Sequence, residues 1–136
     1  MSENQYIMRI DHIAIWTIHL EKMRHFYETY FHGKAGEKYI NPRKNFESYF
    51  VEFDGGTKLE LMEKLEVDAK LHDDIENYIG ITHFAISAGS RQKVDLLTEQ
   101  IRADGYHVVS EPRETGDGYY ESVVLDPEGN KVEITE

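Results

Sequence analysis

Two kinds of hydrophobic spacing alternate along this chain. Residues 7–15 (Ile-Met-Arg-Ile-Asp-His-Ile-Ala-Ile) and 80–87 (Gly-Ile-Thr-His-Phe-Ala-Ile-Ser) are short β-branched or aromatic runs that predict strands. Behind the first run, Met23, Phe26, Tyr27, Tyr30 and Phe31 recur at i, i+3, i+4, i+7 and i+8, the stripe of a helix laid on a core, and Gly33 marks its stop. Behind the second, Ser90 predicts an N-cap, Val94, Leu97 and Ile101 form the stripe, and Gly105 marks the stop. Three more strands follow in each case, at 36–40, 46–54 and 57–62 and again at 106–109, 119–125 and 131–135. Asp54-Gly-Gly and Asp126-Pro-Glu-Gly-Asn supply the turns before the last strand of each set.

The order βαβββ thus occurs twice, and the two copies match residue by residue. His12-Ile-Ala-Ile15 aligns with His83-Phe-Ala-Ile86 at an offset of 71, and at that offset Met23, Phe26 and Tyr30 fall on Val94, Leu97 and Ile101. Phe53-Asp-Gly-Gly-Thr-Lys-Leu-Glu60-Leu matches Leu125-Asp-Pro-Glu-Gly-Asn-Lys-Val-Glu133-Ile, with one extra residue in the second turn. The pattern predicts an α+β protein, one domain over 1–136, built of two tandem βαβββ modules at about 6–62 and about 80–136. The charged, aperiodic stretch at about 63–79 is the expected linker. Mainly antiparallel sheet with the helices outside follows from this order.

Composition narrows what such a protein can do. Fifteen Lys plus Arg against 26 Asp plus Glu leave a net charge of −11, which argues against nucleic acid as a partner, since phosphate affinity comes from clustered cations. No apolar run approaches the length of a membrane span, and the start Met1-Ser-Glu-Asn-Gln lacks the basic and apolar regions of a secretory leader, so a cytoplasmic protein away from membranes is expected. With no cysteine, disulfides, thiolate metal sites and a cysteine nucleophile are excluded, and any metal must be held by imidazole and carboxylate.

Strand alternation places the recurring polar residues. His12 shares a face with Ala14, and His83 with Ile81 and Ala85; Glu60 lies between Leu59 and Leu61, and Glu133 between Val132 and Ile134. If the helices cover the greasy side, both His and both Glu point to the opposite, concave face, where two pseudo-equivalent modules would set one of each around a shared centre. Taken singly, a strand His or a Glu alternating with Leu is ordinary; recurrence at the same place in both halves singles these four out. An N₂O₂ donor set from His12, Glu60, His83 and Glu133 suits Ni²⁺, Zn²⁺, Mn²⁺, Co²⁺ or Fe²⁺ and leaves positions for water or substrate. His19, His25 and His32 flank a helix at surface-like positions, His72 lies in the linker and His107 in an edge strand, and none gains a role. The Gly-containing run Glu111–Glu121 would cover the mouth of the site, with Arg113 and Tyr120 on substrate, or serve as a plain hairpin connection.

The duplicated grammar, the His-x-Ala-Ile starts, the Asp126-Pro-Glu-Gly-Asn turn and the terminal Val132-Glu133-Ile134 resemble the vicinal oxygen chelate superfamily. The order His12, Glu60, His83, Glu133 resembles its glyoxalase I (lactoylglutathione lyase) branch. The resemblance covers nearly the whole chain. It implies a cupped, incompletely closed eight-stranded sheet around one divalent metal per site, nickel or zinc favoured, in a homodimer whose sites lie within one chain or between modules of different chains. It implies proton transfer through an enediolate on a small-molecule hemithioacetal or related α-hydroxycarbonyl, with Glu133 as the base and Glu60 as the alternate. Where glutathione-using relatives carry Arg and Asn, four residues after the first His and the first Glu, this chain has Trp16 and Lys64. Trp16 would make the pocket aromatic, suited to a different or smaller substrate, or pack in the core. Alternatives within the superfamily are an extradiol-type dioxygenase, against which the fourth ligand argues, and a metal-free small-molecule or antibiotic-binding module, against which the full quartet argues. A fosfomycin-type thiol transferase would ask for a phosphonate-binding loop that the sequence lacks.

Overall fold

β-Branched runs settle as strands only where a neighbouring strand completes their hydrogen bonds, and this trims the elements expected above. A computed structural model describes residues 8–67 and 79–136. The described chain runs β1 (His12–Trp16), α1 (Leu20–Phe31), β2 (Lys34–Ala35), β3 (Tyr39–Asn41), a 3₁₀ turn (Pro42–Lys44), β4 (Phe46–Glu52), β5 (Lys58–Lys64), β6 (His83–Ser87), α2 (Arg91–Ala103), β7 (Val108–Glu114), β8 (Tyr120–Leu125) and β9 (Lys131–Thr135). It is an α+β fold of two βαβββ modules. Among the described residues, which start at Met8, the first strand begins at His12, where β5 meets it from Lys58 onward. The strand expected at 36–40 splits into β2 and β3, both laid against β4. β5 takes in the first two residues of the expected linker; His72 lies outside the described residues.

Each module makes its own mixed sheet. One has the order β1-β5-β4-β2, with β3 also on β4, and the other β6-β9-β8-β7. β1 runs parallel to β5 and β6 parallel to β9, whereas every other pairing is antiparallel. β7 pairs with β8 through two register shifts, the second of which spans Pro112.

One face of each sheet carries the core. The expected stripe Met23, Phe26, Tyr27, Tyr30 and Phe31 is buried on α1, together with Val51, Leu59 and Leu61 beneath it. In the second module Val94 and Ile101 of α2 are buried over Val124, Val132 and Ile134, and Leu97 packs at the margin. Ser90 caps α2 as expected, accepting from the Lys93 amide. At the end of α1 the left-handed residue is His32, φ 58°, and not Gly33. Gly33 is needed for a different reason: a Cβ there would stand 2.5 Å from Val51 Cγ1, so only glycine lets the chain turn this close to β4.

The modules are joined through α1. Phe26 meets Tyr106 edge to face at 5.0 Å between ring centroids, and the buried Tyr27 hydroxyl donates to Asp126 at 2.7 Å. Asp126 also accepts from the amides of Glu128 and Asn130 and from Asn130 Nδ2, so its carboxylate organises the β8–β9 turn. The same turn aims Glu128 at the start of α1, where it accepts from the amides of Ile18 and His19 and from the Thr17 hydroxyl. Glu63 accepts from the Leu20 amide. Two distant carboxylates thus satisfy amides at the helix start, where the only local help is the Thr17 hydroxyl, which accepts from the His19 amide at 3.1 Å. Among the described residues no helix is long and apolar enough to cross a membrane.

Two outcomes follow. Burial holds the Asp126 carboxyl above its usual range, while Tyr27 and Asn130 pull it back. The folded protein therefore keeps this proton longer than the unfolded chain, and Asp126's contribution to stability falls as pH rises from 3.8 through the raised value. Tyr27→Phe removes a donor to the charged form, costing about 2 kcal/mol near neutral pH and less near pH 4 in urea denaturation. The Asp126 carboxyl should titrate higher still by NMR. Glu128→Ala frees the α1 start and costs about 1–2 kcal/mol in the same assay; an unchanged midpoint would show that water replaces the cap.

Candidate metal centre

Parallel pairing of the first and last strands sets His and Glu diagonally across one ladder. In β1 and β5, His12 lies opposite Lys58 and Ala14 opposite Glu60. In β6 and β9, His83 lies opposite Lys131 and Ala85 opposite Glu133. All four project from the sheet face that the helices leave open, as their alternation with buried Leu59, Leu61, Val132 and Ile134 requires. The motif's alanine now has a physical purpose, because only a methyl group stands beside each carboxylate and the space above it stays clear.

The two pairs share their geometry. His12 Nε2 lies 3.5 Å from Glu60 Oε1, and His83 Nε2 lies 3.0 Å from Glu133 Oε2. The imidazoles are 38% and 40% exposed, against 16% and 20% for the carboxylates, so each pair is a shallow, accessible notch. On the far side of each ring, Nδ1 meets the preceding residue, Asp11 Oδ2 at 2.9 Å for His12 and Thr82 Oγ1 at 2.8 Å for His83. A partner on Nδ1 orients the ring and presents Nε2, which is how ligating histidines are commonly held.

These distances suit chelation. Two ligand atoms about 2.1 Å from a divalent ion are separated by about 3.0 Å at a right angle and about 3.4 Å at the tetrahedral angle. Each notch offers two donors, and a four-donor site takes both. Within one chain the described residues bring no group of three or more His, Asp and Glu side chains together around a metal position. The structure joins His12 to Glu60 and His83 to Glu133, and it does not join the pairs to each other.

The other expected residues divide by strand parity. Trp16 lies two residues beyond Ala14 on the open face, 48% exposed and edge to face with Phe46, so it is not a core residue. Lys64 stands on the same face opposite Phe46. Arg113 faces the second notch beside Glu121, its cross-strand partner, and donates to Ser110. Tyr120 has the opposite parity: it shares the helix side with Ser122 and Val124, donates to Asp95 at 2.6 Å and lies under the Arg91 guanidinium. It points away from His83 and Glu133.

A residue that the sequence reading passed over is Glu121. Its carboxyl shares the face of Glu133 on the neighbouring strand, and burial, then the Glu133 charge, raises it above the usual carboxylate range against the pull of Arg113. Alternation along β8 was a usable signal, since Glu121, Val123 and Leu125 must share the face of Glu133 once Ser122 and Val124 point inward. Thr135, two residues past Glu133 on that face, holds a buried hydroxyl without a hydrogen-bond partner.

Two recurring half-sites on tandem βαβββ modules are the signature of one protein class, and the family comparison agrees. Residues 9–134 match the model of the Glyoxalase/Bleomycin resistance protein/Dioxygenase superfamily, and the chain belongs to that superfamily. Among curated proteins it is 39% identical to the uncharacterized protein YqjT of Bacillus subtilis over 59 residues, which span 41% of this chain and 46% of YqjT. Among solved structures it resembles a glyoxylase/bleomycin resistance protein/dioxygenase domain from Frankia sp. EAN1pec, with TM-score 0.80 at 16% identity over 96% of this chain and 98% of that one. The trypanothione-dependent glyoxalase I of Leishmania major superposes with TM-score 0.74 at 21% identity, over 96% of this chain and 87% of that one. Glyoxalase I from Zea mays gives 0.73 at 24% identity, over 93% of this chain but 44% of the plant chain. At these identities the superpositions establish the shared fold.

Proposed function

We propose that this chain is a divalent-metal-dependent lyase or isomerase of the glyoxalase I type, working as a homodimer in which the His12–Glu60 pair of one copy and the His83–Glu133 pair of another hold a single ion. The observation that carries the reading is the repeated notch: imidazole Nε2 and carboxylate at chelating distance, with Nδ1 occupied from behind, in both halves. A single chain leaves each notch half-ligated, and a two-fold partner would complete two equivalent sites.

The bound ion supplies Lewis acidity toward a substrate with two adjacent oxygens, nickel and zinc being the favoured metals. Glu133 takes the proton from the carbon beside the carbonyl and returns it to the neighbouring carbon, with Glu60 as the alternate base. Glu121, on the same face one strand over, sets a second carboxyl beside Glu133. Arg113 is the cation available to an anionic part of the substrate. The thiol of the substrate adduct is left open, because one relative of the same fold is described as trypanothione-dependent and because Trp16 and Lys64 replace the expected glutathione grip.

Elemental analysis of protein loaded with Ni²⁺ or Zn²⁺ should find one ion per chain and none after His83→Ala. Absence of metal in the wild type would point instead to a metal-free binding module. A mixing experiment tests the shared site. His12→Ala/Glu60→Ala and His83→Ala/Glu133→Ala should each lose metal, and co-refolding them should return about a quarter of the wild-type content, because half of the dimers regain one intact site of two. Sites formed within one chain would return nothing. In assays of methylglyoxal adducts with several thiols, Glu133→Gln should lower turnover by about 10²-fold or more with metal retained. Metal-loaded wild type inactive on every adduct would sink the lyase assignment.

A further inference from the structure

The paired ligands are symmetric, but the walls around them are not. On the open face of the first sheet an aromatic row surrounds His12. Trp16 meets Phe46 at 6.2 Å and 84°, Phe46 meets Tyr39 at 6.0 Å and 63°, and Phe50, opposite Glu60, stands edge-on to the His12 ring at 5.1 Å. Trp16, Tyr39 and Phe50 are 48%, 55% and 37% exposed, an unusual outlay of aromatic surface next to an imidazole–carboxylate notch. The second sheet has Ser87 at the place of Trp16 and Val123 at the place of Phe50, and it sets Arg113 and Glu121 on the same side as Glu133, whereas Lys131 has its counterpart in Lys58 of the first sheet.

An aromatic wall and a charged wall cannot close flat on each other, because Arg113 and Glu121 would lose water against ring faces that return no hydrogen bonds. In the shared site proposed above, where the two walls would meet around one ion, the space between them would suit a ligand that is apolar at one end and polar at the other. Trp16 lies about 7 Å along the strand from the Ala14–Glu60 position, two residues at the strand rise, which is the reach of one ring bonded directly to an oxygen-bearing carbon. We infer that the substrate carries a planar aromatic group attached to its adjacent oxygens, and that this ring rests on Trp16 and Phe46. The inference rests on the metal reading above and names the substrate class for that site: an aryl-substituted α-oxocarbonyl or its thiol adduct.

Benzoylformate and pyruvate present the same two oxygens with and without a ring, and calorimetric titration of each into the metal-loaded full-length protein tests the inference. Benzoylformate should bind about tenfold or more tightly, a difference of the size that ring stacking and burial supply. It should also quench the fluorescence of Trp16, the single tryptophan of the chain. Trp16→Ala should cut the preference to about threefold or less, with pyruvate affinity and metal content unchanged, and Phe46→Leu should act in the same direction. Equal affinities for the two acids on metal-loaded protein, or a preference that survives Trp16→Ala, would overturn the aromatic subsite while leaving the metal reading standing. A protein that takes up no metal would overturn both, and the elemental analysis separates the two failures.

Discussion

A buried hydrogen bond from Tyr27 to Asp126 ties the halves of this protein to one another. Tyr27 sits in the middle of α1, and Asp126 organises the turn from which β9, with Glu133, departs. That turn also delivers Glu128 to the start of α1, so one loop of the second module grips the first module's helix at two points. The strand bearing Glu133 is thereby registered against the helix that covers the sheet of Glu60. Hydrophobic burial beneath α1 is non-directional and would tolerate a small rotation of one module over the other. The phenol–carboxylate contact, directional and desolvated, would not.

Duplication explains why the two notches are alike and what their difference means. The His-x-Ala stretch of one strand and the carboxylate of its parallel neighbour form a closed unit of geometry: imidazole and acid on a diagonal, a methyl between them, the ring braced from behind. Such a unit recurs in different surroundings, because its imidazole and acid both come from the two parallel strands. Those outer strands are where the copies diverge, into rings on one sheet and charges on the other. The His–Glu pairs and the side chains that distinguish the two halves therefore occupy different strands of the same sheets.

Much of this was legible in the residues. The module order, the α1 stripe, the Ser90 cap and the face shared by His12, Glu60, His83 and Glu133 all follow from periodicity, which encodes local direction. What escaped was set by contacts distant in sequence. The α1 start carries no capping residue of its own, because its acceptors come from Glu63 and Glu128. Among the described residues the first strand is shorter than its hydrophobic run, because β5 begins only at Lys58, opposite His12. Gly33 looks like a helix stop and proves to be a close approach to Val51, a distinction no one-dimensional pattern contains. Tyr120 and Glu121 are the exception, since parity along β8 distinguishes them without any long-range information, and the glycines nearby drew attention to the loop rather than the strand.

The sheet margins carry a last consequence. β7 ends its sheet with Pro112 and two register shifts, and β2 and β3 are two and three residues long, all features that discourage another strand from adding on. β1 and β6, the opposite margins, have neither proline nor bulge, and each is five residues of smooth ribbon. The guarded borders lie far from the His–Glu notches and the unguarded ones lie beside them. A copy kept apart from its own kind would present two adhesive ribbons to the solution, so colloidal behaviour in this protein is governed by the same two strands that carry His12 and His83.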